Sequence, residues 1–215
     1  MDSAQPSLPR LNEPAPDFQA VSTEGPIRLS DFRGKWVVLF SHPADFTPVC
    51  TTELTEFARR AGDFTKMNVQ LMGLSVDSIY SHIAWIRNME EHFDVKIPYP
   101  MIADLDTKVA QAYGMIHSGA STTVTVRCVF VIDDEGILKT MIYYPLTNGR
   151  SVDEIFRIVQ ALQLNKAKGV ATPEGWRPGD KVIVPPPVTR KDAEARVKDP
   201  SVEVTDWYFV KKPQP

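Results

Sequence analysis

The sequence predicts an α/β fold in which helices flank a central mixed sheet, followed by a C-terminal extension. Three observations carry this expectation. Apolar runs at 36–41 and 69–76 bracket a helical pattern at 50–65, and a strand–helix–strand crossover implies two parallel strands in one sheet. A second strand pair, at 124–132 and 137–144, is joined by Asp133-Asp134-Glu135-Gly136, a tight turn that sends the chain back antiparallel. After residue 167 the composition changes to a proline-rich stretch that includes Pro185-Pro186-Pro187.

In chain order, residues 1–16 are rich in proline and polar groups and predict an arm. Short strands at 18–21 and 27–29 join through Gly25-Pro26. Trp36-Val37-Val38-Leu39-Phe40 is a continuous apolar run, the mark of a buried strand. The helix at 78–92 is expected to bury Ile79, Ile83 and Ile86 as one face. Pro98 and Pro100 break the chain before a short strand at 101–103, and Asp104 is expected to cap a small helix that runs to Tyr113. Ser151 caps a helix to about 167 with Ile155, Ile158, Val159 and Leu162 as its apolar face. This order is that of a thioredoxin-like sheet with helices on both faces, and a fold by itself does not give a function. The division expected is a main domain over 1–167 and an extension over 168–215. The extension lacks the periodic apolar content of a second large core. Its runs Val182-Ile183-Val184 and Trp207-Tyr208-Phe209-Val210 carry too much apolar area for a free tail, so it is expected to dock on a second subunit.

The chain has 215 residues, 43% of them hydrophobic, enough for one sizeable core with a small appendage. The net charge of −3, with no basic stripe, argues against a nucleic-acid partner. No apolar segment is long enough to span a membrane. Met1-Asp2-Ser3-Ala4-Gln5-Pro6 has neither a basic start nor an apolar run, so a secretory signal is not expected and a cytoplasmic location is. Cys50 and Cys128 are the two cysteines, which make neither a disulfide scaffold nor a metal motif. His82, His92 and His117 lack ligand-like spacing and are expected to be structural or surface residues. No metal or cofactor is expected.

The chemistry centres on Cys50, in the run Ser41-His42-Pro43-Ala44-Asp45-Phe46-Thr47-Pro48-Val49-Cys50-Thr51-Thr52-Glu53. It sits at a strand-to-helix turn, in the first turn of the helix, where free backbone N–H groups and the helix dipole favour an anion. A thiolate there is a nucleophile. Thr47, three residues upstream, can face the sulfur if the turn is tight, and Pro43 and Pro48 stiffen that turn. Arg127 lies in an apolar strand, a costly place for a guanidinium without a partner. Cys128 follows it directly, so it faces the other side of the sheet and is a poor resolving partner for Cys50. A buried, apolar-like cysteine is the expectation there.

Pro43-x-x-x-Thr47-x-x-Cys50 resembles the active-site signature of the peroxiredoxins, and the longer run from Ser41 to Glu53 resembles their one-cysteine, peroxiredoxin-6-type subfamily. The likeness extends from about Asn12 to Phe209. It includes Gly73-Leu74-Ser75-Val76-Asp77, Ile102-Ala103-Asp104, Val126-Arg127-x-Val129-Phe130-Val131-Ile132-Asp133 and Tyr144-Pro145-x-x-x-Gly149-Arg150. The resemblance implies a thiol-dependent peroxidase that reduces hydrogen peroxide and organic hydroperoxides through a sulfenic acid on Cys50. It implies that Thr47 and Arg127 bind the peroxide, that Pro43 shields the thiolate, and that Arg127, a permanent cation, favours the thiolate. Glu53 and Arg150 correspond to residues that orient Thr47 and Arg127. His42 corresponds to a histidine that hydrogen-bonds the sulfur or its oxidised form. The resemblance also implies a homodimer through the C-terminal extension and allows a ring of dimers.

Two departures matter. Val210 stands where some relatives carry cysteine, and no cysteine follows, so the sulfenic acid needs an external thiol reductant. The stretch Asp31-Phe32-Arg33-Gly34-Lys35-Trp36 has no serine where some relatives have a hydrolase nucleophile, so a serine hydrolase is not supported. Two rival readings remain at this level. A thiol–disulfide oxidoreductase usually needs Cys-x-x-Cys, and Thr47 occupies the first cysteine's place. A non-catalytic holdase would use the apolar extension but has no need of Thr47, Cys50 and Arg127 together.

Overall fold

The structure, a computed structural model, describes residues 8–215; residues 1–7 of the predicted arm lie outside the described residues. The chain divides into two compact units at Val152/Asp153, whereas the compositional boundary falls at 167/168.

The first unit is built on a seven-stranded mixed sheet. Its strands are β1 (Gln19–Ser22), β2 (Gly25–Arg28), β3 (Trp36–Ser41), β4 (Val69–Ser75), β5 (Met101–Ala103), β6 (Arg127–Ile132) and β7 (Leu138–Tyr144), in the order β2-β1-β5-β4-β3-β6-β7. β3, β4 and β5 run parallel, while β6 lies antiparallel to β3 and β7 antiparallel to β6. The helices are α1 (Pro48–Lys66), α2 (Ile79–Phe93) and α3 (Lys108–Ala112).

Side chains alternate across β3 and β6, as the pleat requires. Val37, Leu39, Cys128, Phe130 and Ile132 join α3's Val109 and Ala110 in one core. On the opposite face Phe40 stacks on Phe57 of α1, ring centroids 4.1 Å apart. Helices therefore cover both faces, and the site lies on the α1 side.

Three details differ from the sequence reading. The buried stripe of α2 is His82, Trp85 and Met89, and Ile83 is 46% exposed. The helix turns its one indole inward, and hydrogen bonds satisfy the histidine that comes with it. β6 begins at Arg127 rather than at 124, because Val126 N–H donates to the Met115 carbonyl and not to a neighbouring strand. Asp104 serves α3 from outside the N-cap position: Thr107 is the cap residue, and the Asp104 carboxylate accepts from the N–H groups of Val109 and Ala110. The described part of the arm is not free, since Asn12 and Glu13 exchange backbone hydrogen bonds with Leu138.

The second unit holds most of α4 (Val152–Lys168), then β8 (Val182–Ile183), α5 (Arg190–Arg196), β9 (Glu203–Asp206) and β10 (Phe209–Lys212). Ile155 and Val159 of α4 are buried, while Ile158 and Leu162 are half-buried. The three strands form an antiparallel sheet in the order β8-β10-β9. Trp176, Val170 and Val182 make its small core, too little apolar area to rank as a second large one. No helix of the described residues is long and apolar enough to cross a membrane.

Candidate active site

The peptide from His42 to Thr47 links β3 to α1 and is pinned at several points. Thr125 Oγ1 donates to the His42 carbonyl and Asp45 N–H donates to Asp77 Oδ2. Phe46 adopts φ +55° in this stretch, a conformation non-glycine residues rarely take and one the surrounding bonds must hold. Pro48 opens α1, where a missing N–H costs nothing. Thr47 is the N-cap residue. Its hydroxyl donates to the Ala44 carbonyl at 2.9 Å, and its own carbonyl accepts from Thr51. Cys50 follows in the first turn, fully buried, with Pro43 half-buried at the other end of the loop.

Topology brings Arg127 to the sulfur. β6 runs antiparallel to β3, so the start of β6 lies beside the end of β3, where the Cys50 loop departs. Ser41 joins the two strands there: its hydroxyl donates to the Val126 carbonyl and accepts from Cys128 N–H. Arg127 Nη1 donates to Cys50 Sγ at 3.3 Å and to Glu53 Oε2 at 2.7 Å. Its Nε and Nη2 both donate to the Leu146 carbonyl.

Glu53 ties this guanidinium to a second one. Arg150 donates to Glu53 through Nε, Nη2 and its backbone N–H, at 2.9, 2.7 and 2.6 Å. Its Nη1 donates to the Cys128 carbonyl, and the guanidinium lies 5.7 Å from the Phe40 ring centre. All three charged side chains are buried. Burial alone would raise the Glu53 carboxyl. The hydrogen bonds and charge of Arg150, with the charge of Arg127, outweigh it and hold the group below its ordinary 4.5.

A second buried cluster begins at His42. Asp45 stands between two imidazoles: its Oδ1 is 2.9 Å from His42 Nε2 and its Oδ2 is 2.8 Å from His82 Nδ1. Among the described residues this is the one group with metal-ligating donors in reach of one another. Each carboxylate oxygen rests directly on a ring nitrogen at hydrogen-bond length, so the cluster reads as linked by protons rather than by an ion.

The structure thus gathers Cys50, Arg127, Glu53 and Arg150 into one bonded network. Thr47 and His42 stay outside it: the Thr47 hydroxyl donates to Ala44, and His42 pairs with Asp45 through Nε2 and has no partner at Nδ1. Cys128 lies on the opposite sheet face in the apolar core, and burial pushes its thiol up to about 12. Sequence reasoning missed Asp45 and His82. Asp45 stood inside the motif with no role, and its partner His82 is 37 residues away, where no local pattern signals the pairing.

Comparison with known proteins agrees with this geometry. The AhpC/TSA family model matches residues 11–141, and the model of the C-terminal domain of 1-Cys peroxiredoxin matches residues 161–199. A peroxiredoxin of Aquifex aeolicus is 57% identical over 217 residues, covering 96% of this chain and 97% of that protein. A peroxiredoxin 2 of Caldanaerobacter subterraneus is 52% identical, covering 95% and 93%. Among solved structures, a mutant peroxiredoxin 6 of Arenicola marina superposes with a TM-score of 0.86 at 41% identity, covering 96% of this chain and 98% of that one. The yeast mitochondrial 1-Cys peroxiredoxin superposes with a TM-score of 0.85 at 40% identity, covering 95% and 99%. A thiol held by a buried arginine at a strand-to-helix turn, a thioredoxin-like sheet around it and these matches together place the chain in the peroxiredoxin family of thiol-dependent peroxidases.

Proposed function

We propose that Cys50 is the peroxidatic residue of a one-cysteine peroxidase that reduces hydrogen peroxide and organic hydroperoxides. The observation that carries this reading is the Arg127 N–H on Cys50 Sγ, within a buried network where two guanidiniums face one carboxylate. That network holds one positive charge in excess, which a Cys50 thiolate balances. The thiolate attacks the terminal oxygen of R–O–O–H. The S–O bond forms as the O–O bond breaks, R–O⁻ leaves and takes up a proton as R–OH, and Cys50 becomes a sulfenic acid. Arg127 stabilises the charge that develops on the leaving oxygen. Thr47, its proton committed to Ala44, offers a lone pair to the peroxide O–H. Pro43 screens the thiolate, Glu53 and Arg150 hold Arg127 in place, and His42 hydrogen-bonds the oxidised cysteine.

An external thiol closes the cycle. It attacks the sulfenic sulfur, releases water and leaves a mixed disulfide that a second thiol resolves. Cys128 is on the wrong face for this step. The yeast mitochondrial relative is described as resolved through glutathione/thioredoxin systems, which supports the same arrangement here. A need for external thiol fits a reducing compartment such as the cytoplasm. Residues 168–215 act as the dimer arm, and Trp207 and Tyr208 are exposed in its apolar run. Phe46 on the site loop and Tyr80 and Ile83 on α2 are exposed as well, a further apolar surface that suits a ring of dimers. The test is steady-state turnover with a dithiol reductant. Cys50→Ser abolishes peroxide consumption, and Cys128→Ser retains it; full activity in Cys50→Ser would refute the reading.

A further inference from the structure

Ser41 opens the run that leads to Cys50, and the chemistry described so far makes no use of its side chain. The β3–β6 register runs from Val37–Ile132 to Phe40–Val129, and Ser41, the last residue of β3, lies one step beyond it. Alternation along β3 puts Ser41 on the face of Val37 and Leu39, which belong to an apolar core. A hydroxyl enclosed there costs free energy unless it is hydrogen-bonded. Ser41 meets that requirement across the seam to β6. Its Oγ donates to the Val126 carbonyl at 2.7 Å and accepts from Cys128 N–H at 3.0 Å. The Cys128 thiol also approaches that carbonyl, at 3.8 Å, but a thiol is the weaker donor.

These two partners stand on either side of Arg127. The Val126 carbonyl belongs to the peptide plane that enters the Arg127 Cα, and Cys128 N–H belongs to the plane that leaves it. One oxygen atom therefore restrains both planes, and with them the direction in which the Arg127 side chain departs. On the other edge of β6, Arg127 pairs with Tyr144 of β7, and the Cys128 carbonyl accepts from Arg150 Nη1. Neither contact reaches β3, the strand that leads into the Cys50 loop; the Ser41 hydroxyl does. A second enclosed hydroxyl, Thr125 Oγ1, crosses the same seam in the opposite direction, to the His42 carbonyl.

We propose that Ser41 is a positioning residue for the thiol chemistry: its hydroxyl locks the two peptide planes at Arg127 to the end of β3, and so sets the guanidinium at hydrogen-bond distance from Cys50. The proposal rests on the reading of Cys50 as the peroxidatic residue and Arg127 as its partner. The guanidinium stands at the end of a long side chain, so a small rotation at the Arg127 Cα is magnified at Nη1. A misplacement of about 1 Å at a reacting centre can cost on the order of 10²-fold in rate. Glu53 and the Leu146 carbonyl hold the far end of that side chain, and Ser41 holds its root. A serine that served only the sheet's stability would leave the guanidinium where it is.

A double-mutant cycle in the full-length protein tests this, with stopped-flow oxidation of Cys50 by hydrogen peroxide as the kinetic readout. Ser41→Ala is expected to lower the second-order rate roughly tenfold. In an Arg127→Ala background the same change is expected to lower it by less than about twofold, because Ser41 acts through the missing guanidinium. Ser41→Thr keeps the hydroxyl and Ser41→Val, of the same size, lacks it; the threonine variant is expected to be several-fold faster, and this pair carries the cycle where Ser41→Ala does not fold. NMR of the arginine side chains in reduced protein, without peroxide, is expected to show several-fold faster hydrogen exchange of the Arg127 guanidinium in the variants that lack the hydroxyl. A native rate in Ser41→Ala overturns the proposal. So does an equal loss in both backgrounds, equal rates in the threonine and valine variants, or unchanged Arg127 exchange. Native protein whose Cys50 thiol survives peroxide overturns the peroxidatic reading itself. Arg127 exchange is read without peroxide, so the two failures are told apart.

Discussion

Arg127 is where the site's electrostatics meet the peroxide binding proposed for it. All three guanidinium nitrogens are committed, to the sulfur and Glu53 on one side and to the Leu146 carbonyl on the other. The fork is therefore rigid before a peroxide arrives, which is what makes fixed donors effective at a developing charge. Arg127→Ala is expected to lower kcat/KM for hydrogen peroxide by about 10²–10³-fold, measured by stopped-flow peroxide consumption. Arg127→Lys keeps the charge but loses the fork, and is expected to recover only part of that loss. A variant within twofold of the native rate would contradict the role. This residue was legible in the sequence because an arginine in an apolar strand demands a partner. Cys50 was legible for a different reason, its place at the junction of an apolar strand and a helix start. The Asp45–His82 pair was not, because no periodicity or spacing encodes a contact across 37 residues.

At the scale of elements, the site depends on the crossing of β3, α1 and β6. The end of β3 sets where α1 starts, the first turn of α1 carries Cys50 and Glu53, and β6 returns antiparallel to supply Arg127. Glu53 is the joint. Removing its charge leaves two buried guanidiniums facing each other, so Glu53→Gln is expected to cost about 3–5 kcal/mol of stability in urea denaturation. Its folded-state carboxyl is held below 4.5. The stability it contributes is therefore present above pH 4.5 and is lost as pH falls through the lower folded value. Acid titration of the native protein should show this loss and Glu53→Gln should lack it. The strands and the α1 start could be read from the sequence because apolar runs and turn residues are local signals. The buried face of α2 could not, because Ile83 and Trp85 compete for the interior and tertiary packing decides between them.

For the whole molecule, the two cysteines have opposite environments on opposite sheet faces. Burial pushes the Cys128 thiol up to about 12, so the folded protein keeps a proton there that the unfolded chain releases near 9. Stability that is intact below pH 9 is therefore expected to fall as pH rises toward about 12, a slope that thermal melts of native and Cys128→Ala protein can compare. Buried Tyr99 and Tyr113 and half-buried Tyr143, raised in the same way, add to the native slope. At pH 8 iodoacetamide is expected to label Cys128 only after unfolding. The central claim is that Cys50 alone is oxidised and that nothing in its own chain resolves it. One equivalent of hydrogen peroxide per chain, followed by thiol counting and intact mass under non-reducing conditions, tests this most directly. The account predicts loss of one thiol, at Cys50, a mass gain of one oxygen and no disulfide within the chain. An intramolecular Cys50–Cys128 disulfide, or a Cys50 thiol that survives, would contradict it.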